Sequence, residues 1–418
     1  MTDTLRLTLE PIREHGGTLE TAAVLACPGR ERHRLWWRLP ASWRDALTTW
    51  ADPFVVGFLF VMMEKQCDVM VEGAVSPSLL ANLERYMALW HAWMPQSYQP
   101  VTIRAREEAE PPVPTAAEQT IIPFSCGVDS CYTLLRHQRG LVGRRAHQIG
   151  AAMVMGGFDI RLDQTNAQGK YNALLRDTHA ALEDAGIACI DVTSNFHELP
   201  TTWGHSFGTQ LIGGLHLLAG RFGATIVAND VPYTRMGLTW GSHPVSNPFL
   251  GSERFRVIDD GAETTRFGKI ELVTQWPEAM RRLRVCFSEP GSYANCCRCE
   301  KCLRTILSCR VAGVPLPAAF SNDPDIRQIR RARFHNWHNV LQWREVVSGA
   351  EARGWGDAEW VKAARAAISR NRRRLRINQF KRTFIPWRNR IRTLFRGSPR
   401  SRAQLQQEQQ RPSVQTEQ

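Results

Sequence analysis

Two groups of residues in this chain have types and spacings that could do chemistry. The first is Phe124-Ser125-Cys126-Gly127-Val128-Asp129-Ser130. Residues 120–123 before it are apolar and β-type, and residues 131–137 after it read as a helix. A strand, a tight Ser/Gly turn and a helix start gather backbone N–H groups at the positive end of the helix dipole, which suits an anion. Ser125 and Ser130 add hydroxyl donors. Asp129 can cap the helix or hold Mg²⁺ beside a phosphate. An ordinary strand-to-helix turn uses the same residue types, so the loop alone leaves both readings open. No G-x-x-x-x-G-K-[ST] pattern occurs, which excludes a Walker-type loop.

The second group is Cys286, Cys296, Cys299 and Cys302, a C-x9-C-x2-C-x2-C array. Thiolates three residues apart reach one ion from a knuckle turn, and the others close a tetrahedron. The array is therefore expected to hold Zn²⁺ in a structural role. A four-Cys iron–sulfur cluster is the alternative. Cys297 is expected to point away.

The elements that must position these groups follow from patterning. A chain of 418 residues, 43% hydrophobic, has room for two domains and a tail. In an N-terminal α/β region, residues 1–115, strands are expected at 5–9, 33–38 and 67–71. An apolar helix is expected over 46–65, interrupted at Asp52-Pro53. A second begins at Pro77, capped by Ser76, and runs to about residue 93. Residues 107–117 read as a linker.

From residue 120 the pattern is β–α repeated: strand 147–155, helix 170–185, strand 189–192, helix 205–222, strand 225–228. This alternation predicts an α/β, doubly wound parallel sheet with ligands at the C-terminal strand ends. The 125–130 loop, residues 156–159 with Gly157, and Asn229-Asp230 would open on that edge. A polar, irregular stretch follows over 240–244 and 259–269, with Ser242 and His243 as candidate substrate contacts. The expected units are 1–115, 118–285 for the nucleotide-type sheet, 286–365 for the zinc knuckle and its helices, and a basic tail at 366–418.

Ser-x-Gly-x-Asp-Ser resembles the pyrophosphate-binding loop of the PP-loop ATP pyrophosphatases. Their usual form is Ser-Gly-Gly-x-Asp-Ser, and Cys126 stands where that form has its first Gly. The loop followed by the Cys array resembles the 7-cyano-7-deazaguanine synthases over roughly residues 120–312. The resemblance implies an adenine nucleotide alpha hydrolase-like fold that uses ATP and Mg²⁺. It implies cleavage of ATP to AMP and pyrophosphate, with a small-molecule carboxylate or amide adenylated for ligation or amidation. The cofactor-binding loop would be Ser125, Cys126, Gly127, Val128, Asp129 and Ser130, with the phosphates on Ser125, Gly127 and Ser130 and Asp129 supporting Mg²⁺. Lys269 would meet the pyrophosphate, with Arg266 second or beside the substrate. The N-terminal region and the 240–244 segment depart from those synthases. A tRNA-modifying enzyme of the same fold, or a non-catalytic nucleotide-binding protein at a membrane surface, are the alternatives.

Gly204-His205-Ser206-Phe207-Gly208 also fits G-x-S-x-G, the nucleophile elbow of hydrolases. That elbow needs a strand just before it, and residues 198–203, with Pro200, are poor strand material.

The formal charge of +13 is unevenly spread. Of the 53 basic residues, 15 fall in residues 361–402, a segment without Asp or Glu, leaving 38 against 40 acidic residues elsewhere. Spaced apolar residues within this basic segment suit an amphipathic helix at an anionic membrane surface or an RNA-binding arm; a solvated arm without a dedicated partner fits the composition equally. Residues 404–418 are Gln-rich and expected to be disordered. The chain opens without a signal-peptide pattern, and its longest apolar run, residues 54–63, is too short to span a bilayer. A soluble, cytoplasmic protein is expected.

Overall fold

A computed structural model describes residues 4–27, 31–237, 239–286 and 292–395, with side chains to residue 380. The strands are β1 (Leu5–Leu9), β2 (Arg13–His15), β3 (Thr18–Ala26), β4 (Arg32–Pro40), β5 (Val69–Val75), β6 (Ile103–Glu108), β7 (Ala116–Pro123), β8 (Gln148–Gly156), β9 (Ala188–Ser194), β10 (Phe222–Ala228) and β11 (Arg256–Asp260). The helices are α1 (Asp52–Lys65), α2 (Pro77–Trp93), α3 (Val128–Gln138), α4 (Ala167–Asp184), α5 (Trp203–His216), α6 (Arg266–Val273), α7 (Pro277–Arg282), α8 (Glu300–Val311), α9 (Ile326–Arg331), α10 (Trp337–Ala352) and α11 (Glu359–Phe395).

The eleven strands form one mixed, mostly parallel sheet in the order β11-β10-β7-β8-β9-β4-β3-β1-β5-β6, with β2 on β3. Strands β7 to β11 run parallel to one another. The order reverses between β7 and β10, so chain leaving β7 and β10 diverges and opens a crevice at that edge. The N-terminal region shares this sheet instead of forming its own. β4 pairs antiparallel with β9 over Trp37–Ser194 and Arg38–Thr193. Side chains lengthen this short seam: Asn195 Oδ1 accepts from Trp36 N and its Nδ2 donates to Arg34 O, while Ser194 Oγ donates to Trp36 O.

Helices cover both faces. On one, α1 is apolar all round, and residues 52–63 are buried without a break. Such a helix belongs in a core, not on a surface. It crosses α5 closely because Gly213 lies against it; a Cβ there would come 2.8 Å from Pro53 O. On the other face α3, α6, α7 and α8 share a second core built around Ile122, Leu134, Ile270 and Ile306. Residues of α8, α9, α10 and α11 enclose a third, around Phe334 and Trp343. Among the described residues no helix is long and apolar enough to cross a membrane.

Several elements differ from their sequence expectations. Ser76 does not cap α2 with its side chain. Its N–H and hydroxyl donate instead to Asp52, which is buried at the start of α1. Burial pushes Asp52 up to about 6 in spite of those bonds. The helix expected over 205–222 ends at His216, and Phe222 begins β10. The stretch read as irregular contains the end of β11 and the start of α6, whose cap is the Thr265 hydroxyl accepting from Gly268 N. Short strands hidden in polar sequence carry no clear period, which is why β11 leaves no mark in the pattern. The basic tail is helical through Phe395; side chains from 381 on and residues 396–418 lie outside the described part.

Candidate active site and metal centre

The C-terminal ends of β7, β8 and β10 floor a cavity of about 710 Å³. Pro123, Met153, Met155, Val227 and Ala228 form that floor. The loop after β7 contributes Ser125, Gly127, Asp129 and Ser130 to the wall. Helix α3 starts at this loop with no capping side chain, so its first-turn N–H groups remain for an anion. Ser130 Oγ donates to Gly127 O at 3.1 Å and accepts weakly from Ser125 N at 3.5 Å, which closes the turn.

Cys126 holds this turn in the left-handed region, with φ +53°. An L-residue there costs about 1–2 kcal/mol. Its side chain is fully buried in the core beside Cys131 and Val128 and does not line the cavity. Burial pushes its thiol well up, so it stays protonated. Its carbonyl accepts from Arg284 N at 2.8 Å, tying the segment after α7 to the loop. Val128 is likewise a core residue.

Asp129 Oδ2 lies 3.1 Å from Arg266 and Oδ1 3.0 Å from Lys269. Burial alone would raise this carboxyl, but Arg266 and Lys269 hold it below its usual range. With a cation facing each oxygen, Asp129 organises the two bases; Mg²⁺ would have to displace one. Arg266 reaches the cavity wall, and its Nε–H is buried without a partner. Lys269 is 2% exposed and lies under the loop, donating also to Asn229 O, with the Tyr132 ring 5.7 Å away.

The other candidate residues divide. Asp230 and Ser242 line the cavity. Gly157 does not: it has φ +78°, and a Cβ would fall 1.8 Å from Ser194 O, so only glycine permits this turn after β8. His243 is buried, its Nε2 paired with Met236 O and its ring edge-on to Trp93 at 5.1 Å. Burial lowers its pKa and keeps it neutral. Ser206 of the G-x-S-x-G pattern is buried within α5, bonded to Thr201 and Gln210, with no strand immediately before it.

Phe158, His197, Trp203, Phe207 and Trp240 also line the cavity. Phe158 follows a strand end and Trp240 opens the 240–244 stretch, both legible in the sequence as near this edge; His197, Trp203 and Phe207 are not. His197 stacks on Trp203 at 4.3 Å, Phe158 meets Trp203 at 4.7 Å, and Phe207 meets Trp240 at 5.3 Å. Trp203 and Phe207 are four residues apart on α5, a spacing that marks one helix face. Nor does the sequence single out Arg161, Arg284 and Lys301, which add positive charge to the wall, with Arg161 paired to Asp163. Arg284 stacks on Tyr293 at 4.6 Å.

Comparison with protein-family models, curated proteins and solved structures gives no match.

Beside the cavity, the sulfurs of Cys286, Cys296, Cys299 and Cys302 all lie within 4.8 Å of one another. Cys296 and Cys302 are 3.9 Å apart, and Cys286 and Cys299 are 3.7 Å apart. Four thiolates at the zinc–sulfur distance on a tetrahedron are separated by about 3.8 Å. The set therefore has the spacing to hold one zinc-sized ion. Cys299 N donates to Cys296 Sγ at 3.3 Å, fixing the knuckle. Cys297, at φ +56°, turns its sulfur to Asn295 O and Ser321 Oγ instead.

Proposed function

We propose that this protein binds ATP in the cavity and cleaves it between the α and β phosphates to adenylate a small substrate. The observation that carries this reading is that one cavity is lined both by the anion-binding loop and by a cluster of aromatic rings. Backbone N–H groups of the α3 start, Ser125, Ser130 and Arg266 suit a polyphosphate, and Arg284 and Lys301 add charge. Trp203, Phe207 and Trp240 suit a base. The strand order around β7, with helices on both faces, agrees with a doubly wound, PP-loop-type sheet.

In this reading a substrate carboxylate or amide oxygen attacks the α-phosphorus, and pyrophosphate leaves toward Arg266 and the α3 start. These groups stabilise the charge that develops on the leaving oxygen, and electrostatic stabilisation of this kind usually contributes most to such a rate. Lys269 supports the reaction by holding Asp129, and through it Arg266. Asp159 and Asp230 are the cavity carboxylates left for Mg²⁺ or substrate. The four cysteines would hold Zn²⁺, which closes the knuckle against α8. The test is phosphorus NMR of ATP incubated with the protein and mixed carboxylic acids and ammonia. AMP with pyrophosphate is expected; ADP with phosphate as the product pair rejects the reading.

A further inference from the structure

A second concavity, of about 490 Å³, has Cys299 of the cysteine knuckle in its wall. Arg298, Arg327, Arg331, Arg333 and His335 line it. The two acids on its wall already have partners. Glu300 binds Arg304 at 2.7 Å and Trp343 at 2.8 Å, and Asp325 caps α9, accepting from Gln328 N at 2.7 Å. Arg370 and Arg374 of α11 add charge behind the rim, donating to the carbonyls of Arg330, Ala332 and Phe334. Burial and the nearby Arg333 and Arg370 hold Arg374 below its usual range, a sign of crowded positive charge.

Such crowding costs folding energy unless an anion meets it, and arginine's planar fork matches phosphate oxygens. Ala332 and Cys299, the latter held in the knuckle, are the apolar residues on the wall, so the wall itself carries no large apolar side chain. Trp337, 38% exposed, opens α10 two residues beyond His335 and offers a face for a base. Arg298 lines this concavity and Lys301 lines the main cavity. We infer that the concavity binds the phosphodiester backbone of a single-stranded nucleic acid. The inference stands on these residues and not on the ATP reading.

The test is binding of a single-stranded RNA of about 15 nucleotides, a length that such grooves accommodate, to the full chain across a salt series. The wild type is expected to bind with steep salt dependence. Combining Arg327→Gln, Arg331→Gln and Arg333→Gln should weaken binding at least about tenfold and flatten the log–log salt slope by about 2. All three side chains are exposed, so the melting curve should not move; if it does, the single substitutions read the same slope. No RNA binding, or binding unchanged in these variants and thus owed to the tail, overturns the inference. So does a protein that ignores RNA but binds phosphatidylserine vesicles and loses that binding in the variants.

Discussion

Lys269 Nζ lies 3.0 Å from Asp129 Oδ1, with the lysine almost wholly buried beneath the loop. The cation expected to meet phosphate thus acts one layer back. Lys269→Met should destabilise the fold by about 3 kcal/mol, the usual cost of breaking a buried pair. The pH dependence should change with it. Asp129 is held below its unfolded value, so its contribution is present above about pH 4 and is lost as pH falls toward its folded pKa. Urea midpoints at pH 7 and pH 3 should converge more closely in Lys269→Met than in the wild type.

Asp259 gives the opposite sign. It accepts from Asn229 and Asn247, yet burial pushes it up to about 7. Its folded pKa lies above its unfolded one, so its contribution is full below about pH 4 and is lost as pH rises to 7. In Asp259→Asn that loss should vanish. Relative to wild type, the variant should gain about 2 kcal/mol between pH 5 and pH 8, read from denaturant midpoints.

Cys126→Gly trades a strained φ for a lost buried side chain. The two effects are each on the order of 1–2 kcal/mol, so stability should change little and ATP turnover should be kept or raised. Cys126→Val puts a β-branched residue at φ +53° and should cost about 2 kcal/mol or more. Thermal melting of both variants checks the pair.

How much is legible in the sequence follows from where each signal sits. The 125–130 loop and the cysteine array are local, and their spacing survives folding intact. Ser242 and Asp230 are legible because they follow strand ends or lie in a polar stretch. Lys269 stands out by its charge near a helix start and His243 by its type within a polar stretch, and neither signal says which way a side chain faces. Arg284 has no local signal; it reaches the loop through a backbone bond to Cys126 across a separation of more than a hundred residues. The sharing of one sheet by the N-terminal region rests on two pairs in β4 and β9, which no periodicity in either strand announces.

Cys299→Ser should remove one bound zinc per chain by metal analysis and lower the melting temperature, since α8 begins at the knuckle. Chelation of the wild type should reproduce the shift. Unchanged zinc content in the variant rules out this ligand set.

The most direct test of the account is a calorimetric titration of Mg·ATP into the wild type and into Gly127→Val. A Cβ at Gly127 would stand 3.3 Å from Ser125 Oγ and crowd the anion cradle without straining the backbone. The account predicts saturable binding with a Kd below about 1 mM, weakened at least about tenfold in Gly127→Val. Absence of wild-type binding, or equal binding by the two proteins, contradicts it.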